Sequence, residues 1–139
     1  MPAPVIVDTN VVVAGLLSGD VGSPVSRILD GMVTAAFPFA LSVALLAEYR
    51  AVLLRPAIRS RHGLDEDGID LLLTELARHA IVLVPGAGPS APDPGDQLLW
   101  DLLVVRPGLA LVTGDRTLLE DEAMRGRVLS PGDLVRRGG

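Results

Sequence analysis

Val5-Ile6-Val7-Asp8-Thr9-Asn10 is the stretch on which the fold turns: three β-branched residues with no polar alternation, ending abruptly in an acid. Such a run reads as a short strand covered on both faces, the pattern of a parallel sheet. A second stretch, Ala110-Leu111-Val112-Thr113-Gly114-Asp115, repeats the arrangement: an apolar strand that passes through a turn into an acid. If the two strands are parallel neighbours, both carboxylates leave the sheet on one edge.

The residues between and beyond them alternate helix and strand. Ser23-Pro24 pairs an N-cap with proline at the first helical position, and Val25, Ile28, Leu29 and Met32 follow at helical spacing. Residues 39–41 read as a second strand. Ser42 then caps a helix over 43–54, which stops at Arg55-Pro56 because proline lacks the N–H and disfavours helix before it. A helix over 65–79 feeds a third strand over 81–84, and the Pro- and Gly-rich residues 85–95 form a loop. Then come a helix over about 96–105, the strand at 110–113, a short helix over 117–123, a strand over 127–129 and a helical turn after Ser130-Pro131. This alternation predicts an α/β fold, a three-layer α/β/α sandwich around a mostly parallel sheet of about five strands, in one domain over residues 1–139. Active sites in such folds lie outside the carboxyl ends of the strands.

Composition narrows the chemistry. The 139 residues include no Cys, which removes thiol nucleophiles, thiolate zinc sites and disulfides together. With 49% hydrophobic and 3% aromatic residues, the core must be aliphatic. All 12 basic residues are Arg. Without Lys there is no P-loop, no pyridoxal Schiff base and no kinase ion pair. The 17 acids leave a net charge of −5, which taken alone argues against a nucleic-acid partner. Residues 1–4 carry no positive charge and Asp8 interrupts the first apolar run, so no secretory leader is expected. The longest uncharged stretch, 31–47, is too short to span a bilayer and contains Pro38. A cytoplasmic protein without membrane contact is the expectation.

Several acids resist a purely structural reading. Asp8 and Asp115 each end a strand, where either could simply cap the next helix or turn. Glu48 comes after 17 uncharged residues and sits in a helix apolar on nearly every side, where a carboxylate needs a cation or a metal. An ion pair with Arg50 or Arg55 is the plainer explanation. Asp93 and Asp96 look like an ordinary helix start, with Pro94 between them. Gathered on one edge, however, Asp8, Glu48, Asp115 and one of Asp93 and Asp96 describe a hard oxygen site suited to Mg²⁺ or Mn²⁺ and to phosphodiester hydrolysis. A dehalogenase-type phosphatase would need an acid where Asn10 stands, and a receiver domain would need a Lys.

Four segments in register carry a family resemblance: V-I-V-D-T-N-V from Val5, S-V-A-L-L-A-E-Y from Ser42, D-P-G-D-Q from Asp93 and L-V-T-G-D-R-T-L-L from Leu111. Over essentially the whole chain the sequence resembles a PIN domain, most closely the toxins of VapC-like toxin–antitoxin systems. The resemblance implies that Asp8, Glu48, Asp96 and Asp115 form the catalytic, metal-holding quartet, with Asn10 and Thr113 orienting the first and last. It implies a Mg²⁺- or Mn²⁺-dependent ribonuclease, a cognate antitoxin that blocks the site, and a homodimer or higher assembly. Relatives often have Asn after the third acid; here Gln97 stands there, with an amide long enough to orient Asp96. Asp93 is either a supporting acid or only the cap.

Arg116, directly after Asp115, is a candidate phosphate contact, with a solvated surface residue as the alternative. Arg50, Arg55, Arg59 and Arg61 form a run without acids that could flank the site as an RNA track or be a solvated face. The rival to the enzyme is a PIN-like binding module for RNA or protein with little catalysis. A metal-dependent phosphatase or DNA nuclease using the same acids is a third reading.

Overall fold

The β-branched run at residues 5–7 does form a strand, β1 (Val5–Val7), and all three of its residues are buried. The computed structural model describes residues 3–138. The expectation of no leader rests on residues 1–4, of which Met1 and Pro2 lie outside the described residues.

β1 pairs in parallel with β4 (Ala110–Val112), in the register Val5↔Ala110, Ile6↔Leu111 and Val7↔Val112. β4 pairs in turn with β5 (Val128–Leu129), again parallel. On the other side, β2 (Ala40–Leu41) and β3 (Ile81–Val82) form a second parallel ladder. The two ladders meet at one parallel bridge, Val5↔Phe39, supported by the Val5 N–H donating to the Pro38 carbonyl at 3.2 Å. The strand order is therefore β3-β2-β1-β4-β5. The expected parallel sheet is present, with the central β1–β2 seam reduced to that single bridge.

This order has a switch point. From β1 the chain moves outward to β2 and β3, then returns to lay β4 on the opposite side of β1. At such a reversal the loops leaving the two central strands diverge and open a crevice at their carboxyl ends. Asp8 and Asp115 lie just beyond those two strands.

Helices cover the sheet: α1 (Thr9–Leu17), α2 (Pro24–Val33), α3 (Val43–Leu53), α4 (Pro56–His62), α5 (Glu66–His79), α6 (Gln97–Leu103), α7 (Arg116–Leu119) and α8 (Pro131–Arg136). Their starts obey the capping signals. Ser23, Ser42, Asp65 and Ser130 each accept a hydrogen bond from a backbone N–H of the first turn. A single 3-10 turn, Pro94–Asp96, leads into α6.

α1 and α4 are the helices that the sequence pattern does not announce, and α1 is formed against its own propensity. Its sequence, TNVVVAGLL, holds three Val and a Gly, all poor helix formers. Tertiary packing overrides that preference: Val11 and Val12 are buried, and Gly15 lets α2 approach closely. A Cβ on Gly15 would stand 2.7 Å from the Val25 carbonyl oxygen and 2.9 Å from Leu29 Cβ. α3 also departs from expectation, for it is not buried all round. It buries the stripe Leu45, Tyr49 and Leu53, while Val43, Ala44, Ala47 and Ala51 face solvent. Glu48 is thus half-buried rather than enclosed.

Gly15→Ala sets helix propensity against packing. The propensity gain is about 1 kcal/mol, while forcing a methyl into a closed contact costs about 1–3 kcal/mol. A net loss of about 1 kcal/mol is expected in urea unfolding. Gly19→Ala, whose added Cβ meets nothing within 4 Å, should change stability by less than about 0.5 kcal/mol. A stabilised Gly15→Ala protein would contradict the close α1–α2 contact.

Candidate active site

Because Val7 is in register with Val112, the next residues along the two strands, Asp8 and Thr113, emerge side by side. The Asp8 N–H donates to the Val112 carbonyl at 2.9 Å, extending the ladder one step beyond the strands. Thr113 Oγ1 donates to Asp8 Oδ2 at 2.7 Å and accepts the Asp115 N–H at 3.0 Å. Asn10 Nδ2 also donates to Asp8 Oδ2, at 3.2 Å. One carboxylate oxygen therefore receives two side-chain donors and the other is left free of them. Asp115 Oδ1 caps α7 by accepting the Thr117 N–H at 2.9 Å. Asp115 is thus both a cap and a member of the cleft, so the two readings of this acid do not compete.

Glu48 arrives from α3. Its Oε2 accepts a hydrogen bond from Thr9 Oγ1, the residue directly after Asp8. Among the described residues it makes no ion pair, so neither Arg50 nor Arg55 accounts for it. Tyr49, fully buried one position later, donates its hydroxyl to the Val7 carbonyl and ties α3 to the end of β1. Asp96 comes from the end of the 3-10 turn.

Asp8, Glu48, Asp96 and Asp115 all line one cleft of about 610 Å³. Their electrostatics show that they sense each other. Burial raises the Asp8 carboxyl above the usual range, opposed by the Thr113 hydrogen bond. Asp96 is pushed up to about 6, first by desolvation and then by the charges of Asp8, Asp115, Asp93 and Glu48. Tyr49 is driven well above its ordinary value by burial and by the same two acids it stands behind, Asp8 and Glu48.

The donor set is oxygen throughout, which fits a hard divalent cation. Among the described residues no three acidic or His side chains are close enough to chelate an ion as they stand. That spacing is compatible with Mg²⁺ or Mn²⁺, since such ions keep several waters and take few protein ligands directly. The repulsion on Asp96 is what a cation placed among the four would relieve.

Two expectations about supporting residues, those for Gln97 and Arg50, need correction, and of the two readings of Asp93 the cap is the one observed. Gln97 does not orient Asp96. Its Oε1 accepts from Ala91 N at 2.9 Å while its Nε2 donates to the Pro89 carbonyl and to Asp101 Oδ1, so it pins the 85–95 loop to α6. Being one residue on, it points about 100° around the helix from Asp96. Asp93 is exposed and caps the 3-10 turn through the Gly95 N–H at 2.8 Å; it does not line the cleft. Arg50 is not at the cleft either. It bridges α3 to α5 by pairing with Asp70 at 2.8 Å and Glu66 at 2.5 Å, and acids from α5, distant in sequence, neutralise it there. Arg55 does line the cleft, as does Arg61, and Arg116 is exposed beside Asp115. Thr9 and Tyr49 were not singled out in the sequence. Thr9 lies inside the quoted motif and Tyr49 is the chain's only Tyr.

The family model of the PIN domain matches residues 4–117. The chain belongs to the PIN domain family. PIN domains are generally nucleases, and the match spans all four acids that this PIN domain gathers in its cleft. Among solved structures the chain resembles the crystal structure of PAE2754 from Pyrobaculum aerophilum, with TM-score 0.58 and 19% identity over 97% of this chain and 88% of that one. At that identity the likeness supports the fold alone. No curated protein matches the chain. No helix among the described residues is long and apolar enough to cross a membrane.

A folded-state pKa raised above the unfolded value means that deprotonating Asp96 destabilises the fold. For an acid raised from 3.8 to about 6, this penalty is absent below pH 4 and complete above about pH 6. Asp96→Asn should therefore stabilise the metal-free protein at pH 7.5. Discounting for solvent screening, we expect about 1 kcal/mol, or about 4 °C in Tm. The gain should vanish at pH 4, as checked by thermal melts in chelator.

Proposed function

We propose that this PIN domain is a Mg²⁺- or Mn²⁺-dependent endoribonuclease, the toxin of a toxin–antitoxin pair, acting in the cytoplasm. The observation that carries the reading is the convergence of Asp8, Glu48, Asp96 and Asp115 on one cleft at the switch point of the sheet. The family match supports nuclease chemistry in general. The toxin role, the antitoxin partner and assembly as a homodimer or higher oligomer rest on the sequence resemblance.

In this reading Asp8, Asp96 and Asp115 would hold the cation. When bound, such an ion supplies Lewis-acid activation of water and neutralises charge at the phosphate. The protein's own residues do the positioning. Thr113 and Asn10 fix one oxygen of Asp8 and leave the other without a side-chain donor. Glu48, whose Oε2 accepts from Thr9, would either hold the cation through water or help position the attacking water. Thr9, Thr113 and Tyr49 are positioning residues, since they act through Glu48, Asp8 and the end of β1.

The test is cleavage of structured and unstructured RNA by purified protein in Mg²⁺, Mn²⁺ or chelator. Wild type should cut only with metal, and Asp8→Asn or Asp115→Asn should lower kcat by about 10²-fold or more. Cleavage that survives both chelator and Asp8→Asn would contradict the metal-site reading. Metal-independent RNA binding without cleavage would favour the binding module.

A further inference from the structure

The four acids occupy only part of the cleft. Its remainder is walled by Val13, Leu17, Val52 and Ile58, from α1, α3 and α4, with Arg55 and Arg61 alongside. Both arginines are exposed, and among the described residues neither is engaged in an ion pair, whereas Arg50, on the face packed toward α5, is neutralised by two acids. A patch with four aliphatic side chains, two unneutralised guanidinium groups and a direct opening onto a carboxylate set is an unusual combination on a chain of net charge −5. It is complementary to a ligand with one apolar face and flanking anionic groups. The whole cleft, at about 610 Å³, is of small-molecule size, enough to enclose one nucleotide but not a duplex.

We infer that this wall is a subsite for one unpaired nucleotide next to the scissile phosphate, its base lying on Val13, Leu17, Val52 and Ile58 and its phosphates met by Arg55 and Arg61. The inference rests on the nuclease reading and adds which residues select the substrate and how. Selection is by shape and charge, with little reading of base identity. Both hydroxyl side chains that line the cleft are already engaged, Ser18 Oγ with Ser23 and Asp20 and Thr9 Oγ1 with Glu48. No aromatic platform is offered, because Trp100, Tyr49 and Phe39 are buried and Phe37 packs edge-on against Phe39. The base is therefore held by dispersion and desolvation on aliphatic groups, which tolerate any base but need it unstacked.

The experiment uses the full chain with four probes: a short single-stranded oligoribonucleotide, its perfect duplex, the same strand lacking one base beside the cleavage position, and methyl p-nitrophenyl phosphate. The double variant Arg55→Ala/Arg61→Ala should raise KM for the single strand by about tenfold and make the slope of log affinity against log salt shallower by about 1.4. It should affect hydrolysis of methyl p-nitrophenyl phosphate much less than cleavage of the single strand, since that ester carries no neighbouring nucleotide. Val52→Gln, at a half-exposed helical position, should raise KM for the intact strand by about fivefold and have little effect on the strand lacking the base. The duplex should bind weakest to wild type. Equal losses on the small ester and the oligonucleotide would overturn the subsite, as would unchanged affinity in both variants, which would leave the wall as a surface for a protein segment. If wild type cleaves nothing, the nuclease reading fails, yet fluorescence anisotropy in Ca²⁺ still decides the subsite: loss of single-strand affinity in the variants supports it and unchanged affinity overturns it.

Discussion

Thr113 gives its hydroxyl hydrogen to Asp8 at 2.7 Å and takes the Asp115 N–H at 3.0 Å, so a single side chain couples the acids that end β1 and β4. That coupling exists only because the strands are parallel and paired Val7 to Val112. A slip of one residue would turn Thr113 to the other face of the sheet and separate the two carboxylates. The remaining site is built onto this pair. Thr9, next along from Asp8, holds Glu48 on α3, and Tyr49 anchors the same helix to the last carbonyl of β1. Asp96 then faces the group from the turn before α6.

The resulting arrangement carries an electrostatic penalty. Four carboxylates share one partly desolvated cleft, and the cost appears as the Asp96 carboxyl rising to about 6. Natural folds keep such repulsion where the site's chemistry needs it. The net charge of −5, which at first argues against a nucleic-acid partner, takes another meaning once four of the acids are grouped. Four of the 17 acids line the cleft, and Arg55 and Arg61 leave a local positive wall beside them. Since the chain has no Lys, phosphate contacts other than a cation fall to Arg, hydroxyl and backbone N–H groups.

The parts legible from sequence were those encoded locally. A β-branched run gave β1 and an apolar run β4, Ser and Pro signals gave the starts of α2, α3 and α8, and strand-end acids pointed to the edge that carries the cleft. The features that were not legible depend on distant partners. α1 is helical against its own propensity because α2 packs onto Gly15, and Arg50 is withdrawn from the cleft by acids some 16 to 20 residues away. Gln97 looked like a partner for Asp96 by adjacency, but helix geometry turns it toward the loop instead. The apolar wall was not legible because Val13 and Ile58 lie on α1 and α4, helices the sequence pattern does not announce, and only the fold brings them beside Val52 of α3.

The central claim is that the four carboxylates form a binding site for a divalent cation. Isothermal titration calorimetry of metal-stripped protein with Mn²⁺ at pH 7.5 tests it without depending on RNA, toxicity or partners. Saturable binding to wild type, weakened by tenfold or more (about 1.4 kcal/mol) in both Asp8→Asn and Asp115→Asn, is the predicted result. No saturable binding, or binding that is unchanged in Asp8→Asn, would contradict it.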